Sequence, residues 1–282
     1  MSATQHSPTG FHARLGCSTI SFRHQDLSAA LVTVAGLGFT EIDLGALPGV
    51  CDHVPYVLDE AAVAEVAASV AASGLRVRSI NGDIGDLNAP LSADHRAARL
   101  RHLDMLVELA AATGAQALVL PCGALEHQPI DTLEADLDLV AAQLTAAAHT
   151  ATARGVELWT ESLHFYRLCC DVVRAQQLTD RLPREVGIVM DFSHIVASGG
   201  TPEDFVRRFG PRIAHVHIRD AVPGNINLSV GNGDVDFAFG LKALSHAGYE
   251  GHFSLELETR DITHDQRPAA AARAARLVSD LI

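Results

Sequence analysis

The chain has 282 residues, 48% of them hydrophobic, with 21 Lys plus Arg against 34 Asp plus Glu and a net charge of -13 at pH 7. That length and apolar content suffice for one large core, so a single domain over residues 1–282 is expected. The negative field repels phosphate backbones and anionic membrane surfaces, which excludes nucleic acid and membranes as expected partners and leaves a small neutral molecule.

Residues 1–14 are polar and lack the apolar core of a secretory signal, so they read as a flexible N-terminal extension. No later apolar run reaches membrane-spanning length. Five cysteines, Cys17, Cys51, Cys122, Cys169 and Cys170, are odd in number and show no CxxC spacing. They fit neither a disulfide framework nor a thiolate zinc site, and point to a reducing, cytoplasmic setting. Lys242 is the only lysine and falls in a helical pattern, which argues against Schiff-base chemistry.

Along the chain, short β-rich runs alternate with longer Ala- and Leu-rich amphipathic runs, the pattern of βα units around a parallel sheet. Eight strands are predicted, over 15–20, 41–44, 75–81, 117–121, 156–161, 186–191, 213–218 and 253–258. The fold class is α/β, a single (β/α)8 TIM barrel. The clearest helices span 91–113 and 133–153, and Gly114 and Gly155 stand where each must stop. After the seventh strand, residues 221–233 carry Pro223, Gly224, Gly231 and Gly233 and read equally as a mobile flap or an ordinary connection.

Four strands end in ionisable groups where packing alone would want apolar ones: Glu161 on the fifth, Asp191 on the sixth, His217 on the seventh and Glu256 on the eighth. Barrel active sites form at the carboxyl ends of the strands, so the four can converge on one point. Packed acids without a cation would repel and protonate, whereas a divalent ion keeps them charged. Three carboxylates and an imidazole suit Mn²⁺ first, with Co²⁺, Mg²⁺ or Zn²⁺ as alternatives; nothing calls for a nucleotide cofactor. Side chains alternate along a strand, so His215 shares a side with His217, and Glu258 with Glu256.

At these residues the chain resembles the xylose isomerase-like barrel family of sugar isomerases, epimerases and inosose-processing enzymes, which also includes endonuclease IV. The resemblance runs through Met190-Asp191-Phe192-Ser193-His194, the run from His215 to Asp220, Gly248-Tyr249-Glu250-Gly251 with Ser254-Leu255-Glu256, and Glu161 with Leu163 and His164 behind it. It implies that Glu161, Asp191, His217 and Glu256 hold the metal and that Glu161 and Glu256 form the acid/base pair. The implied reaction is isomerisation or epimerisation of a keto-sugar or inosose, by proton abstraction beside a carbonyl through an enediolate.

His194, Arg219, Asp43 and Trp159 are then expected to contact substrate, with His215, Asp220 and Glu258 supporting from behind. Asp43 departs from the Glu usual in relatives. It binds a substrate hydroxyl or orients a ligand. Asp220 is expected to hold His217 or Arg219. Arg167, Phe165 and Tyr166 shape the pocket or serve packing. The alternative activity is a lyase on the same scaffold, an inosose dehydratase or an enzyme cleaving 3-keto-glycosides and C-glycosides. An apurinic endonuclease is disfavoured, because the fourth strand ends Leu120-Pro121-Cys122-Gly123 without a histidine and the charge is negative. A non-catalytic subunit is the remaining class, and a homo-oligomer or small partner subunit is compatible with the sequence.

Overall fold

The computed structural model describes residues 10–282. Eight strands, β1 (Leu15–Cys17), β2 (Glu41–Ala46), β3 (Arg76–Gly82), β4 (Ala117–Pro121), β5 (Glu157–Glu161), β6 (Gly187–Asp191), β7 (Ile213–Ile218) and, after the short pair β8 (Asp220–Val222) and β9 (Asn225–Leu228), β10 (Phe253–Leu255), form one parallel sheet in the order β1-β10-β7-β6-β5-β4-β3-β2. β8 and β9 stand outside it. At the seam, a Cβ on Gly16 of β1 would meet the Glu41 carbonyl oxygen of β2 at 2.9 Å, so the two edges lie together and the eight strands form a nearly closed (β/α)8 barrel.

The strands are buried on both faces, which is why β4 reads as an unbroken apolar run, Ala117-Leu118-Val119-Leu120. Around them lie α1 (Leu27–Leu37), α2 (Glu60–Ser73), α3 (Ala93–Thr113), α4 (Leu133–Thr152), α5 (Val172–Arg181), α6 (Phe192–Ala197), α7 (Pro202–Phe209), α8 (Phe237–His246) and α9 (Arg267–Ser279). Asp26, Asp59, Ser92 and Thr132 each accept a backbone N–H in the first turn of the helix they precede. Gly114 closes α3 at φ 68, a left-handed conformation that a Cβ disfavours.

Three expectations change. The proposed extension through residue 14 narrows, because Phe11 is buried against Phe39 and Arg14 donates to the Gly251 carbonyl at 3.0 Å; residues 1–9 lie outside the described residues. The first strand ends at Cys17 and turns into a 3-10 segment, Thr19–Phe22, capped by Ser18. The segment after β7 is neither flap nor plain connection. It begins with the antiparallel pair β8 and β9, and Asp220 pins it: Oδ1 accepts from the N–H of Ala221 and Val235, and Oδ2 from those of Gly231 and Gly233. Asp220 therefore serves its own loop rather than His217 or Arg219.

Candidate metal centre

Consecutive strand ends bring Glu161, Asp191, His217 and Glu256 together at the carboxyl mouth, with one ligand atom of each within 4.8 Å of the others. Asp191 is placed twice over, since it ends β6 and caps α6: its Oδ1 accepts from Ser193 N at 2.6 Å and His194 N at 3.3 Å. That leaves Oδ2 toward the cluster, where Arg219 donates to it at 2.9 Å. Glu256 lies one residue past β10, its N–H still bonded to the Ile218 carbonyl, and its Oε1 accepts from Asn81 Nδ2 at 2.8 Å.

His217 turns Nδ1 toward the carboxylates, 3.3 Å from Glu256 Oε2 and 3.8 Å from Glu161 Oε1. Its Nε2 faces Asp43 Oδ2 at 3.5 Å, and His215 Nε2 lies 2.8 Å from the same oxygen. Glu161 Oε1 and His217 Nδ1 are buried without hydrogen-bond partners. Unpaired buried acceptors are costly, and a divalent cation between them would satisfy both. The residues present thus fit an ion: three oxygen donors, one imidazole, and a carboxylate behind the imidazole to fix its tautomer.

The proton affinities reflect the crowding. Burial pushes the Glu161 carboxyl up to about 7, with His217 opposing and the like charges of Asp191 and Glu256 adding. Burial also acts against ionised Asp191 and Glu256, but Arg219 outweighs it at Asp191 and His217 at Glu256, so both are held below their ordinary range. For His217 the desolvation that disfavours its cation is overcome by Glu256 and the other carboxylates, and its affinity is raised. His164 and His194 are driven the other way, chiefly by burial and then by neighbouring cations.

Glu161, His164 and His194 have ligand-like spacing of their own. Tyr166 N–H donates to His164 Nδ1 at 3.3 Å, and Phe165 N–H to His194 Nδ1 at 3.0 Å. With Nδ1 accepting, a neutral ring carries its proton on Nε2, so both imidazoles present N–H donors and not metal ligands.

Glu161, His217 and Glu256 line a cavity of about 250 Å³, whose lining also includes His164, Arg167, His194, Arg219 and Glu258. Arg219 is 2% exposed and donates to Glu258 Oε2 and Ser193 Oγ as well as to Asp191, so it is no surface ion pair. Arg167 reaches the Asp83 carboxylate at 2.6 Å. Two expected substrate contacts are corrected. Asp43 is fully buried, outside the cavity lining, with its carboxylate against His215 and His217. Trp159 lies in the barrel interior, its ring 5.4 Å from His215 and its N–H donating to Glu157 at 2.8 Å; Gly187 makes the room, since a Cβ there would meet the indole at 2.5 Å. Asn81 and Ser193 were not anticipated. Asn81 near the end of β3 obeyed the same strand-end signal as the acids, in an uncharged residue.

Residues 31–281 match the model of the xylose isomerase-like TIM barrel. The chain belongs to that family. Among solved structures it is similar to 3-keto-D-glucoside 4-epimerase YcjR from E. coli, with TM-score 0.73 and 19% identity over 93% of this chain and 98% of that one. It is also similar to the IOLI protein with a bound zinc atom, with TM-score 0.75 and 18% identity over 95% of this chain and 99% of that one. At these identities the likeness is one of fold. An inosose dehydratase of Geobacillus thermodenitrificans is 30% identical over 106 residues, which span 31% of this chain and only 35% of the dehydratase.

Proposed function

We propose that this barrel is a divalent-metal-dependent isomerase or epimerase of a keto-sugar or inosose, with Glu161, Asp191, His217 and Glu256 holding the ion and Glu161 and Glu256 moving the proton. The observation that carries the reading is the pair itself. Two carboxylates, one on β5 and one after β10, meet at one imidazole, Glu161 Oε1 3.8 Å and Glu256 Oε2 3.3 Å from His217 Nδ1. Carboxylates placed on two sides of one site are suited to acid and base roles.

A bound divalent ion would supply Lewis-acid polarisation of a substrate carbonyl, for which manganese is our first choice and zinc, cobalt or magnesium the alternatives. Glu256, kept ionised by Asn81 and His217, takes the proton from the carbon beside that carbonyl. Glu161 delivers a proton to the opposite face, and exchange with solvent resets the two. His194 Nε2 lies 3.0 Å from Arg219 Nη2, and both residues line the cavity, where a substrate oxygen can accept from them. His164 adds a third donor from the wall.

The stretch shared with the inosose dehydratase favours a second reading, a lyase in which the same proton removal expels a leaving group from the next carbon. Incubation of the manganese-loaded protein with a panel of keto-sugars and inososes in deuterated water separates the two. Deuterium in a rearranged sugar is expected, and release of water or an aglycone selects the lyase. A Glu256→Gln variant that keeps its metal and full turnover sinks the acid/base assignment. Among the described residues no helix is long and apolar enough to cross a membrane. All five cysteines are free thiols. We place this activity in the cytoplasm, on a small soluble substrate, in a chain that works alone, as a homo-oligomer or with a small partner subunit.

A further inference from the structure

His194 stands between two donors. The Phe165 N–H faces its Nδ1 at 3.0 Å, and Arg219 Nη2 faces its Nε2, also at 3.0 Å. A neutral imidazole has one N–H and one acceptor nitrogen, so it satisfies only one of the two; a cationic ring, a donor at both nitrogens, satisfies neither. Arg219 cannot yield, because it is anchored on Asp191, Ser193 and Glu258. The tautomer is therefore decided by the Phe165 amide. Held in place, it keeps the proton on Nε2, where a substrate oxygen in the cavity can accept it. Displaced, it lets Nε2 accept from Arg219 and the proton move to Nδ1.

Residues 162–170, between β5 and α5, lie in neither helix nor strand, so no ladder fixes that amide. The anchor comes from the neighbouring loop. His127, between β4 and α4, turns Nε2 to the Phe165 carbonyl at 2.6 Å, and its ring stands edge-on to the Phe165 ring with centroids 5.9 Å apart. A carbonyl only accepts, so His127 Nε2 carries the proton. His127 is itself braced from behind: Arg174 Nη1 of α5 donates to its carbonyl at 2.5 Å and to the Leu168 carbonyl at 2.9 Å, tying the two loops together. His127 is half-buried and lies outside the cavity lining.

We propose that His127 is a positioning residue for the candidate site: by fixing Phe165 it holds the His194 proton on Nε2, so that this ring faces the cavity as a donor to a substrate oxygen. This rests on the sugar-site reading above and adds to it a residue that touches neither substrate nor metal.

The test is NMR of the full chain labelled with 15N-histidine and saturated with zinc, a diamagnetic ion, the His194 ring being assigned by the signals lost in His194→Asn. The nitrogen–carbon-proton correlation pattern distinguishes Nδ1–H from Nε2–H. Calorimetry with D-fructose and with an inosose is read on the same samples. Expected is Nε2–H in the wild type and in His127→Gln, whose amide can still donate to the Phe165 carbonyl. His127→Ala, and Arg174→Leu by releasing the brace, should move the proton to Nδ1 in part or in full and weaken sugar binding about tenfold, the loss of one hydrogen bond. A His194 that keeps Nε2–H in both of these variants, or that carries Nδ1–H in the wild type, overturns the proposal. So does a loss in His127→Gln equal to that in His127→Ala, since ring packing and not the hydrogen bond would then hold Phe165. A tautomer shift that leaves sugar affinity unchanged overturns the donor role given to His194. A tautomer shift in a protein that binds neither sugar supports the part played by His127 and tells against the sugar reading, so the two failures are told apart.

Discussion

Asp43 is hydrogen-bonded to His215 on β7, lies 3.5 Å from Nε2 of His217 on the same strand and sees no solvent, so its effect on chemistry must pass through His217. Burial alone would raise its proton affinity, yet His215 and His217 hold it well below the ordinary range. An Asp43→Ala variant leaves His217 free to rotate and to exchange tautomers. Metal affinity measured against a fluorescent chelator should fall about 10- to 100-fold, the usual loss when the partner behind a ligand is removed. Unchanged affinity would mean that packing alone orients His217. Glu41, at the opposite end of the barrel, gives a prediction about stability. Burial would raise its carboxyl, but His252 at 2.6 Å and Arg78 at 3.0 Å reverse this and hold it below 4.5. A folded value below the unfolded one stabilises above the unfolded pKa, and the benefit disappears as pH falls through the folded value. Glu41→Gln should therefore cost about 2 kcal/mol at pH 7, less than a fully buried pair because Arg78 and His252 are partly exposed. The gap to wild type should start to narrow as pH falls below the unfolded value of about 4.3 and close as it passes through the lower folded value in urea titrations, since Glu41 is then as neutral as Gln. A gap independent of pH would show that shape rather than charge is lost. At this scale the four ligand candidates were legible because ionisable groups at strand ends break an apolar pattern. Asp43 and Trp159 were misplaced because the pattern gives the side of a strand a residue faces, and not how deep in the barrel it sits.

The segment from Asp220 to Asp236 illustrates what a composition rich in Gly and Pro leaves open. Its glycines announced a break in the βα series, but the ordering comes from one carboxylate that accepts four backbone N–H groups over 15 residues, a link no local pattern reveals. The main strands and helices, by contrast, were readable to within a few residues, because burial on both faces makes the strands continuously apolar and because side-chain caps and glycines bound the helices. Where the prediction ran long, at β1 and β10, the chain leaves the ladder just as it enters the site: Ser18 caps a 3-10 turn and Glu256 swings to Asn81. Asp220→Ala removes the acceptor for four amides at once, three of them in part-buried bonds that water can replace, so the loss is local to the segment. Hydrogen exchange should speed up by at least tenfold across residues 221–235 and stay unchanged in α3 and α4, with little loss of global stability. Protection retained in the hairpin would place its order in the β8–β9 ladder instead.

At the scale of the whole molecule, the candidate site joins strands distant in sequence: Glu161, Asp191, His217 and Glu256 are contributed from β5, β6, β7 and beyond β10, half the circumference of the barrel. An ion that binds this arrangement and not the unfolded chain must stabilise the entire fold by mass action. At a free concentration one hundred times its dissociation constant the gain is about 2.7 kcal/mol, which for a domain of this size corresponds to a rise in melting temperature of about 5–10 °C. The chelated protein should therefore unfold earlier than the manganese-loaded one by that margin. Glu161→Gln should narrow the difference to under about 2 °C, since it removes the carboxylate that accepts no other partner, while its own chelated form should melt no lower than wild type because a group held up to about 7 is relieved of its proton-dependent repulsion. Alkaline-earth ions test the donor set in the same scan: magnesium should protect less than manganese, as an imidazole ligand favours the transition ion. Equal melting temperatures with and without every divalent ion would leave three buried carboxylates balanced only by Arg219 and His217, and the proton-transfer pair would then have to act without Lewis-acid help.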